Sequence, residues 1–353
     1  TKITGPFFAY IFVCILSTIF AAILSRIDLA HSFFAILKYV EYFLLFLIVK
    51  DNMKTLGQAK IFVMVFFLAA FLVSIYANVY IHEQISSGSQ FFRTAPPVAT
   101  RAGGEAGTLG GYLLFMIAIA GGLLVYLRPP VLKIILICLL GIMGRAFIYT
   151  LSRGSYMAFV PMVIALIFFS RKIILVYVTV IIAALLMVTM PQMARDRITQ
   201  TVAVRENVGG KYIEFEESPR DRLESWKVVL FERFPASPLF GYGVAKFFID
   251  GQFFLTLCEV GLVGLVLFIW VIVRLFKETK RILTIDIVKE DQFSAGLSLG
   301  FLAGFIGLLT QAMSTNTFII IRIMEPFWFM AAIVFSLPEM LERKRKAAEN
   351  APA

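Results

Sequence analysis

The chain has 353 residues, of which 59% are hydrophobic and 16% charged, with a mean hydropathy of +0.86. That balance excludes a soluble globular domain and points to apolar stretches of membrane-spanning length. The formal net charge is +10, but the placement of the cations says more than their sum, and no nucleic-acid partner is expected.

Ten apolar stretches approach the roughly 20 residues that about 30 Å of hydrocarbon requires. They fall at about 5–24, 32–49, 60–81, 109–127, 131–150, 154–169, 172–190, 252–273, 294–314 and 317–337. The predicted fold is therefore an all-α integral membrane protein, in which a helical bundle in lipid forms a single unit. The chain opens on Thr1 rather than Met and enters a span almost at once, without a cleavable signal peptide. From this we expect N-terminal residues, and whole helices, to be missing from it. Cys14, Cys138 and Cys258 sit in separate apolar stretches, where they read as small buried hydrophobes, with no metal or disulfide spacing.

Orientation follows from Lys and Arg in the short connections. The tail at 338–353 carries Arg343, Lys344, Arg345 and Lys346, so the C-terminus is expected inside. Counting back, the connections holding Lys50, Lys54 and Lys60, then Arg128 and Lys133, Arg171 and Lys172, and Arg274 to Lys289 also fall inside. Two long loops are left outside. The first, at 82–108, carries Arg93 and Arg101. The second, at 191–251, is too long for a plain connector and is rich in cations.

Within the second loop, residues 220–234 space Leu223, Trp226, Val229 and Leu230 three to four apart, which predicts an amphipathic helix lying at the membrane surface. Pro235 and Pro238 then end it. Gly241 and Gly243 follow, serving either a tight structural turn or a close approach of backbone to ligand. Asp250 stands where the loop re-enters the membrane, either as a helix cap or as a catalytic carboxylate. Glu259 lies about two turns deeper, where a carboxylate is costly and is either functional or the partner of an arginine. Three arginines line the outer rim of other spans: Arg145, Arg153 and Arg322. Arg322 has Glu325 three residues on, which allows a local ion pair. An arginine fork donates two parallel hydrogen bonds and keeps its charge, so several near one membrane face point to a diphosphate.

Four stretches together resemble the O-antigen ligase and polymerase superfamily of bacterial envelope proteins. They are Thr150-Leu-Ser-Arg-Gly-Ser-Tyr-Met-Ala158; Arg222-Leu-Glu-Ser-Trp226 with Pro238-Leu-Phe-Gly-Tyr-Gly243; Asp250-Gly-Gln through Gly264; and Arg101-Ala-Gly-Gly leading into Gly110-Gly-Tyr-Leu. The resemblance implies a GT-C-like helical bundle with one large periplasmic loop in the bacterial cytoplasmic membrane. It also implies glycan transfer from undecaprenyl diphosphate carriers without a cofactor or an essential metal. It assigns diphosphate binding to Arg153 and Arg222, with Arg145, Arg101 and Arg322 as further candidates. The family's ligases carry a His-Asn pair near the position of Asp250-Gly-Gln, whereas the histidines here are His31 and His82. This favours a polymerase of O-antigen, capsule or exopolysaccharide repeats over a ligase. Asp250 or Glu259 would take the hydroxyl proton, and chain-length regulators or flippases would be partners. A lipid or polysaccharide transporter and a structural scaffold are the readings from other classes.

Overall fold

The computed structural model describes residues 3–24, 27–89, 92–97, 105–172, 191–199 and 219–350. Among these residues the chain is all-helical and holds nine helices long and apolar enough to cross a membrane, which makes it a multi-pass membrane protein. The spanning helices are α1 (Thr4–Ile23), α2 (Leu29–Asn52), α3 (Leu56–Ser86), α4 (Ala106–Tyr126), α5 (Pro130–Ile148), α6 (Arg153–Ser170), α9 (Gln252–Thr284), α11 (Gln292–Gln311) and α12 (Ile321–Glu349). Between them come the short helices α7 (Gln192–Thr199), α8 (Pro219–Val228) and α10 (Asp286–Glu290). All of the expected span at 172–190 after Lys172 lies outside the described residues, as does Arg101.

The centre is the pair α4 and α11, with α6 packed beside them. Their contact is backbone to backbone. A Cβ on Gly122 would stand 2.3 Å from the Gly300 amide nitrogen, and one on Gly300 would stand 2.7 Å from the Ala118 carbonyl oxygen. Lipid tails are as apolar as leucine, so helices in a membrane associate through such close packing rather than through hydrophobic burial. Phe115, Phe301, Phe305 and Phe327 fill the space beside this seam. At the periphery, α3 leaves Ile61, Met64, Leu68, Leu72 and Val79 exposed, the surface expected of a helix that faces acyl chains.

Helix α9 is broken inside its span, at Gly261, where φ is 67° and ψ is −168°. The two ladder bonds that would run from residues 262 and 263 to 258 and 259 are exchanged for bonds to the segment 238–243. The Cys258 and Glu259 carbonyls accept from the Tyr242 and Gly243 amides at 3.1 and 2.9 Å. The Leu262 and Val263 amides donate to the Pro238 and Leu239 carbonyls at 2.8 and 3.3 Å. Irregular backbone at membrane depth needs such partners because lipid offers none. Ser17 of α1 adds hydrogen bonds to the Phe240 and Glu259 carbonyls.

The helix expected at 220–234 is present as α8, continued by a π-helical turn at Val229–Arg233. Its expected apolar stripe is split, however. Trp226 and Val229 pack inward with Arg222 and Arg233, while Leu223 and Leu230 face outward. The cause is the partners waiting on the inside: Asp250 for Arg222, and the Phe247 ring 4.0 Å from the Arg233 guanidinium.

Candidate functional site

The turn from Ala312 to Thr317, after α11, gathers the starts of three other helices at one end of the bundle. The Gln252 amide at the start of α9 donates to the Ala312 carbonyl at 2.9 Å, and the Phe318 amide donates to Gln252 Oε1 at 3.0 Å. Asn316 Nδ2 donates to the Ile249 carbonyl at 2.8 Å. Gln311 Nε2 reaches the Gly107 carbonyl on α4 at 2.9 Å and Ser155 Oγ on α6 at 3.0 Å. Gly154 lies so close to the turn that a Cβ there would be 2.4 Å from Ser314 Oγ. Buried amides and hydroxyls bonded to one another in this way fix a single arrangement of the helix ends, although Asn316 Oδ1 is buried there without a partner among the described residues.

Three of the arginines singled out in the sequence stand around this turn. Arg222 Nε donates to Asp250 Oδ2 at 3.1 Å, with side chains 20% and 21% exposed. Asp250 is therefore the counter-ion of Arg222 and not a helix cap. Gly251 holds the N-cap position of α9 without a side-chain bond. Trp226 locks the pair from behind, its Nε1 donating to the Asp250 carbonyl at 2.7 Å and its ring stacked on Phe254 at 4.5 Å. Arg153 is the first residue of α6, next to Gly154 and the turn, and Ser152 caps that helix. Arg322, in the first turn of α12, pairs with Glu105 at the N-cap of α4. Its expected local partner, Glu325, instead faces Glu41 of α2.

The other candidates lie elsewhere. Arg145 Nη1 donates to Asn78 Oδ1 of α3 at 3.1 Å, and its guanidinium lies 5.9 Å from the Tyr149 ring. Gly241 and Gly243 serve the turn: both have positive φ, and a Cβ on Gly241 would stand 2.6 Å from the Cys258 carbonyl oxygen. The backbone they approach is that of α9. Glu259 is buried, and its Oε1 accepts from the Ala245 amide at 2.7 Å, holding Ala245 at a φ of 61°. This carboxylate pins the loop to the break in α9, a structural role the sequence left open. Glu105, Asn316 and Gln311 were not foreseen. Polar amides at the end of an otherwise apolar span were the available signal.

Among the described residues, no group of three or more His, Cys, Asp or Glu is placed to hold a metal ion. No family model matches the chain, and no curated protein matches it in sequence. Fold and site together define an all-α, multi-pass membrane protein whose partly buried arginine–carboxylate pairs collect at one end.

Proposed function

We propose that this protein polymerises undecaprenyl-diphosphate-linked oligosaccharide repeats at the periplasmic face of the bacterial cytoplasmic membrane. The observation that carries this reading is the grouping of Arg153, Arg222 and Arg322 around one turn, at the end of the bundle away from the basic connections. Clustered guanidinium groups suit a diphosphate, whose charge grows as it leaves the anomeric carbon. A hydroxyl of a second lipid-linked unit attacks that carbon, the bond to the diphosphate breaks, and the hydroxyl proton passes to a carboxylate.

Asp250 fits the proton-accepting role better than Glu259. It is partly exposed and held by Arg222, so a diphosphate that takes Arg222 frees its carboxylate at the reacting end. Glu259 is committed to Ala245. The same chemistry supports a ligase of the same superfamily, with a different acceptor.

The test is incubation of the purified protein with lipid-linked repeat units and separation of the products by gel. A ladder of polymer is expected, lost in Arg222→Ala and Arg153→Ala while the amount of folded protein is unchanged. Polymer from both variants would refute the role of these arginines. Transfer of a single unit to another acceptor would make the protein a ligase. The facing carboxyl groups of Glu41 and Glu325 within the spans favour a transporter instead. Proton-driven uptake into vesicles, with no glycan product, would establish that reading.

A further inference from the structure

The outward side of the α8 stretch is largely apolar, and among the described residues none packs against it. Leu223, Leu230 and Phe231 are 53%, 40% and 75% exposed, and Lys227 shares their face. The inward side is a different set, Arg222, Trp226, Val229 and Arg233, whose contacts were described above. Leu230 and Phe231, seven and eight residues after Leu223, return to its face within the π-turn. Glu224 and Glu232 flank the patch and are exposed as well. A helix apolar on both sides has two partners, and only one of them is the rest of the protein.

The course of the chain identifies the other. Eight residues after Phe231, Leu239 is bonded to the break in α9. That break lies about nine residues into a spanning helix, roughly 14 Å along its axis. Leu239 is 56% exposed there, Leu262 beside the break is 46% exposed, and Phe20 of α1, stacked on Phe240, is 48% exposed. These three belong to the surface that spanning helices turn toward lipid. The exposed face of α8 is thus the upper end of a run of apolar side chains that continues into hydrocarbon. Lys227 among them suits the phosphate layer, where a lysine keeps its ammonium in the headgroups and its stem against apolar groups.

We propose that residues 219–236 lie in the headgroup layer of the adjoining leaflet. Leu223, Leu230 and Phe231 are inserted among the acyl chains, and Lys227 reaches a lipid phosphate. The occupant of this face is the bilayer, not a second copy of the chain. The placement stands independently of the glycan chemistry. Its consequence is that Arg222, on the adjoining face of the same helix, is held at the level where a membrane lipid carries its phosphates.

The test uses the full chain with Cys138 replaced by Ala, reconstituted in vesicles of phosphatidylethanolamine and phosphatidylglycerol. Nitroxide labels are placed singly on Leu230→Cys, Phe231→Cys, Glu224→Cys and Glu232→Cys. Collision with oxygen is expected to exceed collision with water-soluble nickel chelate at 230 and 231, with the order reversed at 224 and 232. Nickel reaching 231 as freely as 232 overturns the proposal. So does dipolar broadening between labels of two molecules, which would assign the face to a second copy. As a second measurement, Phe231→Trp is expected to add a blue-shifted emission that brominated phospholipids quench, and emission at the wavelength of tryptophan in water overturns it.

Discussion

Gly261→Ala tests the exchange of hydrogen bonds that breaks α9. The native φ and ψ at this position lie in a region essentially closed to residues with a side chain, which costs about 1–3 kcal/mol for alanine. The added methyl would also stand 2.3 Å from the Leu239 carbonyl oxygen and 2.6 Å from the Phe240 amide nitrogen, both of them backbone atoms that cannot rotate away. Relief comes if residues 258–263 return to regular helix. Leu262 and Val263 then recover intrahelical acceptors, but the Tyr242 and Gly243 amides lose theirs. The lost bonds, at about 0.5–1.5 kcal/mol each, oppose undocking in parent and variant alike, so the change is set by what only the docked variant suffers, the strain and the clash, together on the order of 3 kcal/mol. The local opening equilibrium of residues 238–245 should therefore rise by about two orders of magnitude. Amide hydrogen exchange of the protein in detergent micelles reads this directly, with faster exchange at Tyr242, Gly243 and Ala245 and little change in α4 and α11. Gly141→Ala, where a Cβ meets nothing within 4 Å, is the control. Protection at 242–245 equal to that of the parent would refute the exchange of bonds.

Glu259→Gln should keep the loop docked, because a glutamine carbonyl still accepts from the Ala245 amide, whereas Glu259→Ala should expose the loop to protease at a cost of about 1–3 kcal/mol. Protease digestion of both variants, compared with the parent, checks this. Trp226→Phe keeps the stacking on Phe254 but leaves the Asp250 carbonyl without its donor, so thermal unfolding should show a loss of about 1 kcal/mol. Gly300→Leu forces side-chain carbon into the α4 backbone and should abolish stable expression, while Leu72→Ala on the exposed face of α3 should leave it unchanged. Fluorescence-detected size-exclusion profiles of the two proteins would show the contrast.

Spans were the most legible part of the chain, because an apolar run of membrane length has few other readings. The helix at 220–234 was legible for the same kind of reason, its spacing, but its inward face was not. Periodicity places Arg222 and Arg233 on the same face as Trp226 and Val229, and only the tertiary pairing with Asp250 and Phe247 makes that mixed face the inward one. The break at Gly261 left no mark because a single glycine in a span is ordinary. Its meaning comes from amides about twenty residues upstream, in the turn that Gly241 and Gly243 make. For Arg322 the sequence allowed a pair with Glu325, yet its carboxylate comes from Glu105, more than two hundred residues away in sequence and reached only when α4 and α12 stand together. For Glu259, the sequence showed a charge where charge is expensive, and the coordinates supply the reason in a backbone amide that needed an acceptor.

The glycine-to-glycine seam of α4 and α11 leaves no slack between the two helices, and the turn at 312–317 is the direct continuation of one of them. Whatever docks near Arg153 and Arg322 therefore meets a stiff anvil. Compliance has to come from the opposite wall, the stretch from α8 to Asp250, which carries Pro235 and Pro238 and, in the placement proposed above, rests on lipid. In the proposed reaction, a bulky, growing product would be released by that wall giving way, with the helical frame standing still.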